Sequence, residues 1–466
     1  RKIIFSSELN ALKGLVKLEP NHSVINDFIC NGAFIGSSTP FNHITELEGG
    51  QYALINIDTC EIEINTWWNI NSFYHKRSHY NFEESKQIVL KSLMDGVKRR
   101  LDSSDLEVGA FLSGGIDSSL IVALAAQHKE KIKTFTVSMP GSYDEAPLAK
   151  LVADKYATEH TEIKINFDHL KNDFESIVSN YGEPFKDSSA IPSYYVSQAA
   201  KEHITVVLNG DGADELFAGY RRYVLVSKWD IYKKSTFKNL TSKSLLSLLP
   251  IAHEKKSTYN YFYRLLKIAA SDPSDIYWTT TIDSFSGVNG TGLRVSEQSS
   301  FISDFLKKNK NLSGLQKQMN LDFEILLKGI LLKKMDIATM AHSLEGRSPF
   351  LCKELLEIAP TINDSYKIKG TRTKHILRSI SEDLLPDELV NQPKRGFEIP
   401  LKNWLDNQLS EHVNDYLRST NAQYVNYISP SFVTKLLDKK IKVSDEKRAK
   451  MLYALLVTEI WFKNLS

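Results

Sequence analysis

The stretch AFLSGGIDSSL, Ala110 to Leu120, sets two glycines, three serines and an aspartate directly after a short apolar run. None of these side chains is an obvious nucleophile or base. Their common property is small size and hydrogen-bonding capacity. Gly114 and Gly115 allow a tight turn and close backbone approach to a ligand. The hydroxyls of Ser113, Ser118 and Ser119 can donate to phosphate oxygens. The N–H groups opening the following helix point the same way, and the helix dipole favours an anion there. Asp117 has the wrong charge to hold phosphate directly. It fits if a Mg²⁺ lies between it and the phosphates, because hard cations take carboxylate oxygens. The stretch therefore reads as a Mg²⁺-phosphate cradle. It lacks the Gly-Lys-Ser/Thr of a Walker A loop. The alternative is an ordinary glycine turn with a serine or aspartate helix cap.

A second stretch, VVLNGDGADELFAGYRRY, runs from Val206 to Tyr223. A strand ends near Leu208, and Gly210 and Gly212 mark a tight loop. Asp211, Asp214 and Glu215 follow. Asp211 and Asp214 share a helical face, and their repulsion costs stability unless a cation neutralises it. This packing suggests a metal or a proton-transfer role. Acids that merely favour a helix N-terminus are the alternative.

The elements around these stretches alternate. VGAFL, KTFTVS, HTEIKI and ITVVLNG read as strands, with helices at DSSLIVALAAQH and APLAKLVADKY between them. Alternation of this kind predicts an α/β fold, a parallel sheet covered by helices, with ligands beyond the carboxyl ends of the strands. ESKQIVLKSLMDGVKRRL has helical spacing at Leu90, Leu93, Met94, Val97 and Leu101. Residues 1–70 read as short strands and turns, including QYALINI and EIEINTWW. A domain boundary is placed between residues 70 and 82. Aromatic and Leu-rich patterns between residues 224 and 320 suggest added helices. EKRAKMLYALLVTEIWFKNL, near the end, reads as an amphipathic core-packing helix.

With 466 residues and a formal net charge of +2, the chain has room for two or more domains. Charge alone suggests no nucleic-acid partner. Cys30, Cys60 and Cys352 follow no metal-ligand spacing and read as free thiols of a reducing compartment, the cytoplasm. No apolar run reaches membrane-spanning length, and Lys328 interrupts the longest, EILLKGILLKK. RKIIFSSELN does not read as a secretory signal. A first residue of Arg suggests a processed chain or a fragment.

SGGIDSS resembles the S-G-G-x-D-S loop of the PP-loop ATP pyrophosphatases. Together with GDGADELFAGY it resembles the synthetase domain of the glutamine-dependent asparagine synthetase family. FTVSMPGSYDEAPLAKLVAD, GEPFKDSSAIPSYYVS, MDIATMAHSLEGRSPFL and LLPDELVNQPKRGFEIPLKNWL also resemble blocks of that family. The resemblance implies a PP-loop ATP pyrophosphatase fold over residues 82–466 with added C-terminal helices. It implies ATP contacts through the backbone at Leu112 and Val137, and base or ribose contacts at Asn209 and Gly210. Ser113, Gly114, Gly115, Asp117, Ser118 and Ser119 match the pyrophosphate loop, and Asp117 and Asp214 match Mg²⁺ ligands. Asp211 stands where some members have Glu, positioned to deprotonate ammonia or order the intermediate. Lys394 in QPKRGF matches a lysine at the phosphates. Tyr220 is a catalytic helper or a packing residue. Arg347 is set aside as an ion-pair partner of Glu345 or Asp336.

The reaction implied is adenylation of the aspartate side-chain carboxylate by ATP with Mg²⁺. Ammonia, free or from glutamine, then displaces AMP to give asparagine. A homodimer is one possible assembly. IIFSSELNALKG, ELEGGQYALI and TWWNI resemble the late part of the family's glutaminase domain. Residues 1–70 therefore read as a β-rich remnant of an Ntn-type glutaminase domain whose front, with its nucleophilic cysteine, is missing from the sequence. Two departures bear on the acceptor. Cys352 follows SPFL where the family usually has aspartate, and LLKGILLKKMD lacks the acidic pair usual before MD. An amidotransferase acting on another carboxylate, such as a sugar acid or a peptide, is one alternative. A non-catalytic ATP-binding relative is the other.

Overall fold

The computed structural model describes residues 2–138, 145–165, 167–232, 244–246, 248–250, 258–270, 277, 280–281, 285, 288–293, 299–392 and 399–465. Its centre is a five-stranded sheet of β3 (Val108–Phe111), β4 (Lys133–Ser138), β5 (Glu159–Lys164), β6 (Val206–Leu208) and β7 (Glu345–Arg347). The strand order is β5-β4-β3-β6-β7, and every pairing is parallel. The chain enters at the middle, winds outward through β4 and β5, then returns to the other side of β3 for β6 and β7. The winding direction thus reverses between β3 and β6, and the crevice beyond their carboxyl ends is the place where such sheets bind ligands.

Helices cover both faces, as short β-branched and aliphatic strands flanked by helical patterns require. On one face lies the helix Phe82–Asp102, started by a capping box. Asn81 Oδ1 accepts from the Glu84 N–H at 3.0 Å, and Glu84 Oε2 accepts from the Asn81 N–H at 2.8 Å. It buries Val89, Leu93 and Val97, one stripe four residues apart, against Val108, Ala110, Leu120 and Leu124. Phe135, Val207, Ala200 and Ile204 close the other face.

The C-terminal helix Asp445–Lys463 departs from the amphipathic expectation. Met451 to Trp461 is buried on every side, because MLYALLVTEIW offers no polar stripe. Its two polar residues are satisfied internally. Thr458 donates to the Ala454 carbonyl at 2.8 Å. Glu459 accepts the N–H groups of Gln423 and Tyr424 at 2.9 and 2.6 Å.

Residues before 70 are less β-rich than expected. The pair β1 (Gln51–Ile55) and β2 (Ile62–Thr66) forms an antiparallel hairpin, but His22–Asn31 is a helix. Its Ile25, Phe28 and Ile29, with Phe41, enter the same core as Trp404, Leu452 and Trp461. Among the described residues no helix is long and apolar enough to cross a membrane. All three cysteines are free thiols.

Candidate active site

The loops after β3 and β6 leave the sheet side by side, since Val108 pairs with Val206 and Ala110 with Leu208. Their contact is tight. A Cβ at Gly210 would stand 3.1 Å from Asp117 Cβ and 3.2 Å from the Ser118 nitrogen. Gly114 has φ +67°, and a Cβ there would lie 2.7 Å from the Glu145 carbonyl oxygen. Glycine is demanded there by both conformation and space.

Within the first loop, Ser118 Oγ accepts from the Ser113 N–H at 3.1 Å and lies 3.0 Å from Ser113 Oγ. Gly115 is the N-cap of the helix Ile116–Ala125 and provides no side-chain cap. Ser119 Oγ is buried with no hydrogen-bond partner among the described residues. Leu112 is fully buried, and its N–H is spent on the Phe135 carbonyl at 2.8 Å. Val137 lies near the end of β4, next to residues outside the description. Asn209 Oδ1 accepts from Ser348 Oγ at 2.6 Å and from the Asp211 N–H at 3.2 Å. Asn209 and Asp211 line a cavity of about 700 Å³ beyond the strand ends.

Asp117 and Asp214 converge on a residue that sequence reasoning did not single out. Lys374 Nζ donates to both oxygens of Asp117 at 2.6 Å and lies 2.6 Å from Asp214 Oδ1. The lysine side chain is 1% exposed, and the carboxylates are 13% and 12% exposed. Such a buried cation is tolerable only with charge-paired, hydrogen-bonding partners. Lys374 itself sits at φ 52° and opens the helix His375–Ser381. In the sequence it is one lysine of TRTKHILR, distant from both aspartates. No spacing marks it out. Lys394 lies outside the described residues.

Gly219 makes room for this cluster. A Cβ there would stand 1.7 Å from Asp214 Oδ1 and 2.3 Å from Lys374 Cε. Gly219→Ala is therefore expected to push the ion pair apart and to lower stability by about 1–3 kcal/mol, the usual cost of overpacking. Thermal unfolding of the variant beside wild type checks this.

Through its hydroxyl, Tyr220 donates to Glu215 Oε1 at 2.5 Å. Its ring lies under the Arg222 guanidinium at 3.9 Å, and Arg222 in turn pairs with buried Asp322 at 2.8 Å. Burial, then the charge of Asp214, pushes the Glu215 carboxyl up to about 7. A folded-state value above the ordinary 4.5 means that the folded protein holds this proton more tightly. The associated stability is complete below the ordinary value and is lost as pH rises through the folded one. Glu215→Gln is expected to gain stability relative to wild type between about pH 4.5 and 7, read from denaturant midpoints across that range. Arg347 is structural. Its Nε binds Glu345 Oε1 and its Nη1 donates to the Arg100 carbonyl, each at 2.7 Å.

A parallel sheet in this order, covered by helices and carrying a Ser-Gly-Gly loop after β3 beside an acidic loop after β6, places the chain in the α/β class of folds. Within that class the chain belongs to the asparagine synthase family, whose model matches residues 89–463. It is 30% identical over 434 residues to an asparagine synthetase (glutamine-hydrolysing) of Bacillus subtilis, covering 91% of this chain and 66% of that one. A putative asparagine synthetase of Mycobacterium bovis is 27% identical over 471 residues, covering 98% of this chain and 70% of that one. The chain thus spans about two thirds of the length of these relatives. The amidase chry2 of Gibberella zeae is 23% identical, covering 84% of this chain and 64% of that one. Among solved structures, an NH3-dependent NAD synthetase from Campylobacter jejuni matches at 16% identity and a TM-score of 0.24. It covers 42% of this chain and 91% of that one.

Proposed function

We propose that the chain activates a carboxylate with ATP and passes the acyl group to ammonia, with the side chain of aspartate as the first-choice acceptor and asparagine as product. The observation that carries this reading is the convergence of Asp117, Asp214 and Lys374 at the switch point, with Asp211 on the same loop. ATP lies with its phosphates on Ser113–Ser119 and its base toward Val137 and Asn209. The acceptor carboxylate attacks the α-phosphate, the bond to the β-phosphate breaks, and pyrophosphate leaves. Ammonia then attacks the acyl carbon, AMP leaves, and Asp211 takes the proton released by nitrogen. Lys374 and Lys394 supply positive charge where negative charge develops on the leaving pyrophosphate.

The donor set suits Mg²⁺. Among the described residues no three candidate ligands cluster, but Mg²⁺ commonly takes one or two carboxylates and completes its shell with phosphate oxygens and water. Asp117 and Asp214 would hold it, and its charge would neutralise the phosphates. Residues 1–70 are assigned to the late part of a glutaminase domain, so that glutamine is the nitrogen source of the whole protein, working in the cytoplasm.

A second reading, in which the acceptor is another carboxylate, is favoured by the departure LLKGILLKKMD, whose Lys328, Leu332, Lys333 and Met335 line the cavity that holds Asp211. Cys352 does not line that cavity; its buried thiol packs against the helix Phe82–Asp102, 3.5 Å from the Ser92 carbonyl oxygen. The test is pyrophosphate release with MgATP and ammonium, with and without L-aspartate, and mass detection of asparagine. Aspartate-dependent release with asparagine formed supports the first reading. ATP binding without aspartate dependence moves the acceptor to another carboxylate.

A further inference from the structure

The segment that departs from the family pattern, LLKGILLKKMD, forms one wall of the cavity that reaches Asn209, Asp211 and Ser348. Asp322–Leu332 winds as a π-helix, a rare form that concentrates at functional sites. The α-helix Lys333–Met340 continues directly from it, so Lys333 stands at the junction of two windings. Its Nζ donates to Glu183 Oε1 at 2.8 Å and to Glu46 Oε2 at 3.4 Å. Lys328 Nζ lies 3.8 Å from the other Glu46 oxygen.

The two carboxylates on Lys333 are unequal. Glu183 is 4% exposed and close; Glu46 is 37% exposed and farther away. The Lys333 ammonium is half-buried, and Glu183 provides the one close carboxylate that pairs its charge. Glu46 is a second, looser carboxylate on the same ammonium, reaching it from a side chain that keeps its contact with water. A ligand carboxylate entering the cavity would exchange with Glu46 at little cost, because one solvated anion replaces another. A phosphate fits less well, since Glu183 and Asp336 in the same wall oppose a dianion.

We propose that Lys333 recognises the non-reacting carboxylate of the acceptor, with Glu46 occupying its place in the free protein, so that the acceptor is a dicarboxylate. This rests on the reading that a carboxylate is activated beside Asp211. Lys333 is a specificity residue that would hold the non-reacting carboxylate, and its loss acts on acceptor affinity rather than on turnover.

The test measures Kd for L-aspartate, L-glutamate and succinate by calorimetry, with Mg²⁺ and a non-hydrolysable ATP analogue present. KM and kcat for pyrophosphate release are measured alongside, with L-alanine as a monocarboxylate control. Lys333→Met is expected to raise Kd and KM for the preferred dicarboxylate about ten- to a hundredfold, the scale of a lost charged hydrogen bond. Its kcat and ATP affinity stay within about threefold. Glu46→Gln, which removes the competing anion, is expected to lower acceptor KM. Acceptor Kd and KM within twofold of wild type in Lys333→Met, whatever happens to kcat, overturn the assignment. So does a rise in acceptor KM in Glu46→Gln. Wild-type protein that uses L-alanine in preference to every dicarboxylate overturns the inference and leaves the activation chemistry standing. Wild-type protein that binds ATP but releases no pyrophosphate with any of these acids, and binds none of them, overturns both.

Discussion

Lys374→Met is expected to lower the rate of pyrophosphate release by about 10²–10³ and, in the absence of Mg²⁺, to destabilise the fold. The two effects have one origin. Asp117 and Asp214 approach the same ammonium at 2.6 Å, and all three side chains are largely withdrawn from water. A methionine of similar length fills the volume and leaves two carboxylates facing each other without the cation. Removing one partner from a buried ionic cluster costs about 3–5 kcal/mol. Mg²⁺ can take over the neutralisation. The increase in melting temperature on adding Mg²⁺ is therefore expected to be larger for Lys374→Met than for wild type, where the lysine already balances one of the two charges. Turnover is a different matter, because positive charge at the leaving pyrophosphate is expected to contribute about 10²–10³ in rate. Differential scanning fluorimetry with and without Mg²⁺, beside a pyrophosphate assay at saturating Mg²⁺, separates the two. Equal Mg²⁺ stabilisation of wild type and variant would show that the cation does not use these carboxylates.

Asp214→Asn is expected to give the reverse profile: nearly full stability with turnover reduced by about 10²–10³. The amide keeps the shape and an oxygen for Lys374. The lysine retains both oxygens of Asp117, so its charge remains paired. What is lost is one of the two anionic oxygen donors that Mg²⁺ would require. The variant should bind ATP in the absence of metal as wild type does and show a weaker Mg²⁺ dependence of ATP affinity. A metal titration of nucleotide binding, followed by turnover at saturating metal, checks the prediction. Wild-type turnover at low Mg²⁺ would remove Asp214 from the metal site. Asp214→Asn also relieves a charge that helps raise the Glu215 carboxyl, so the pH dependence of stability should flatten between about pH 4.5 and 7.

The β3 and β6 loops were legible because their chemistry is local. A run of glycines and serines between a strand and a helix constrains its own backbone, and KTFTVS became β4 residue for residue. The apolar stripe Leu90, Leu93, Val97 likewise foretold a face of the helix Phe82–Asp102. Legibility failed where a residue's meaning depends on distant partners. The final helix was read as amphipathic because its charged first turn, DEKR, resembles a polar face. The helices Leu170–Ser179, Leu401–Asp406, Ser410–Leu417 and Pro430–Leu437 and the segment around Phe41 pack around it instead. His22–Asn31 was read among strands and turns because its apolar Ile25, Phe28 and Ile29 gain meaning only against Trp404 and Trp461. Tyr220 could be placed beside the acids by sequence, but the direction of its hydroxyl, toward Glu215, was decided by packing.

By itself the sequence determined the parallel α/β class, the two loops bearing Asp117 and Asp214, and the family resemblance. Each of these follows from short-range patterns that survive without knowledge of contacts. Only the tertiary structure decided that Lys374 closes the acidic pair and that Lys333, Glu183 and Glu46 meet in the wall of the cavity that reaches Asp211. The reason is physical. A lysine's charge is the same in every context, and what it does is set by which carboxylates and how little water lie within a few ångströms of its nitrogen.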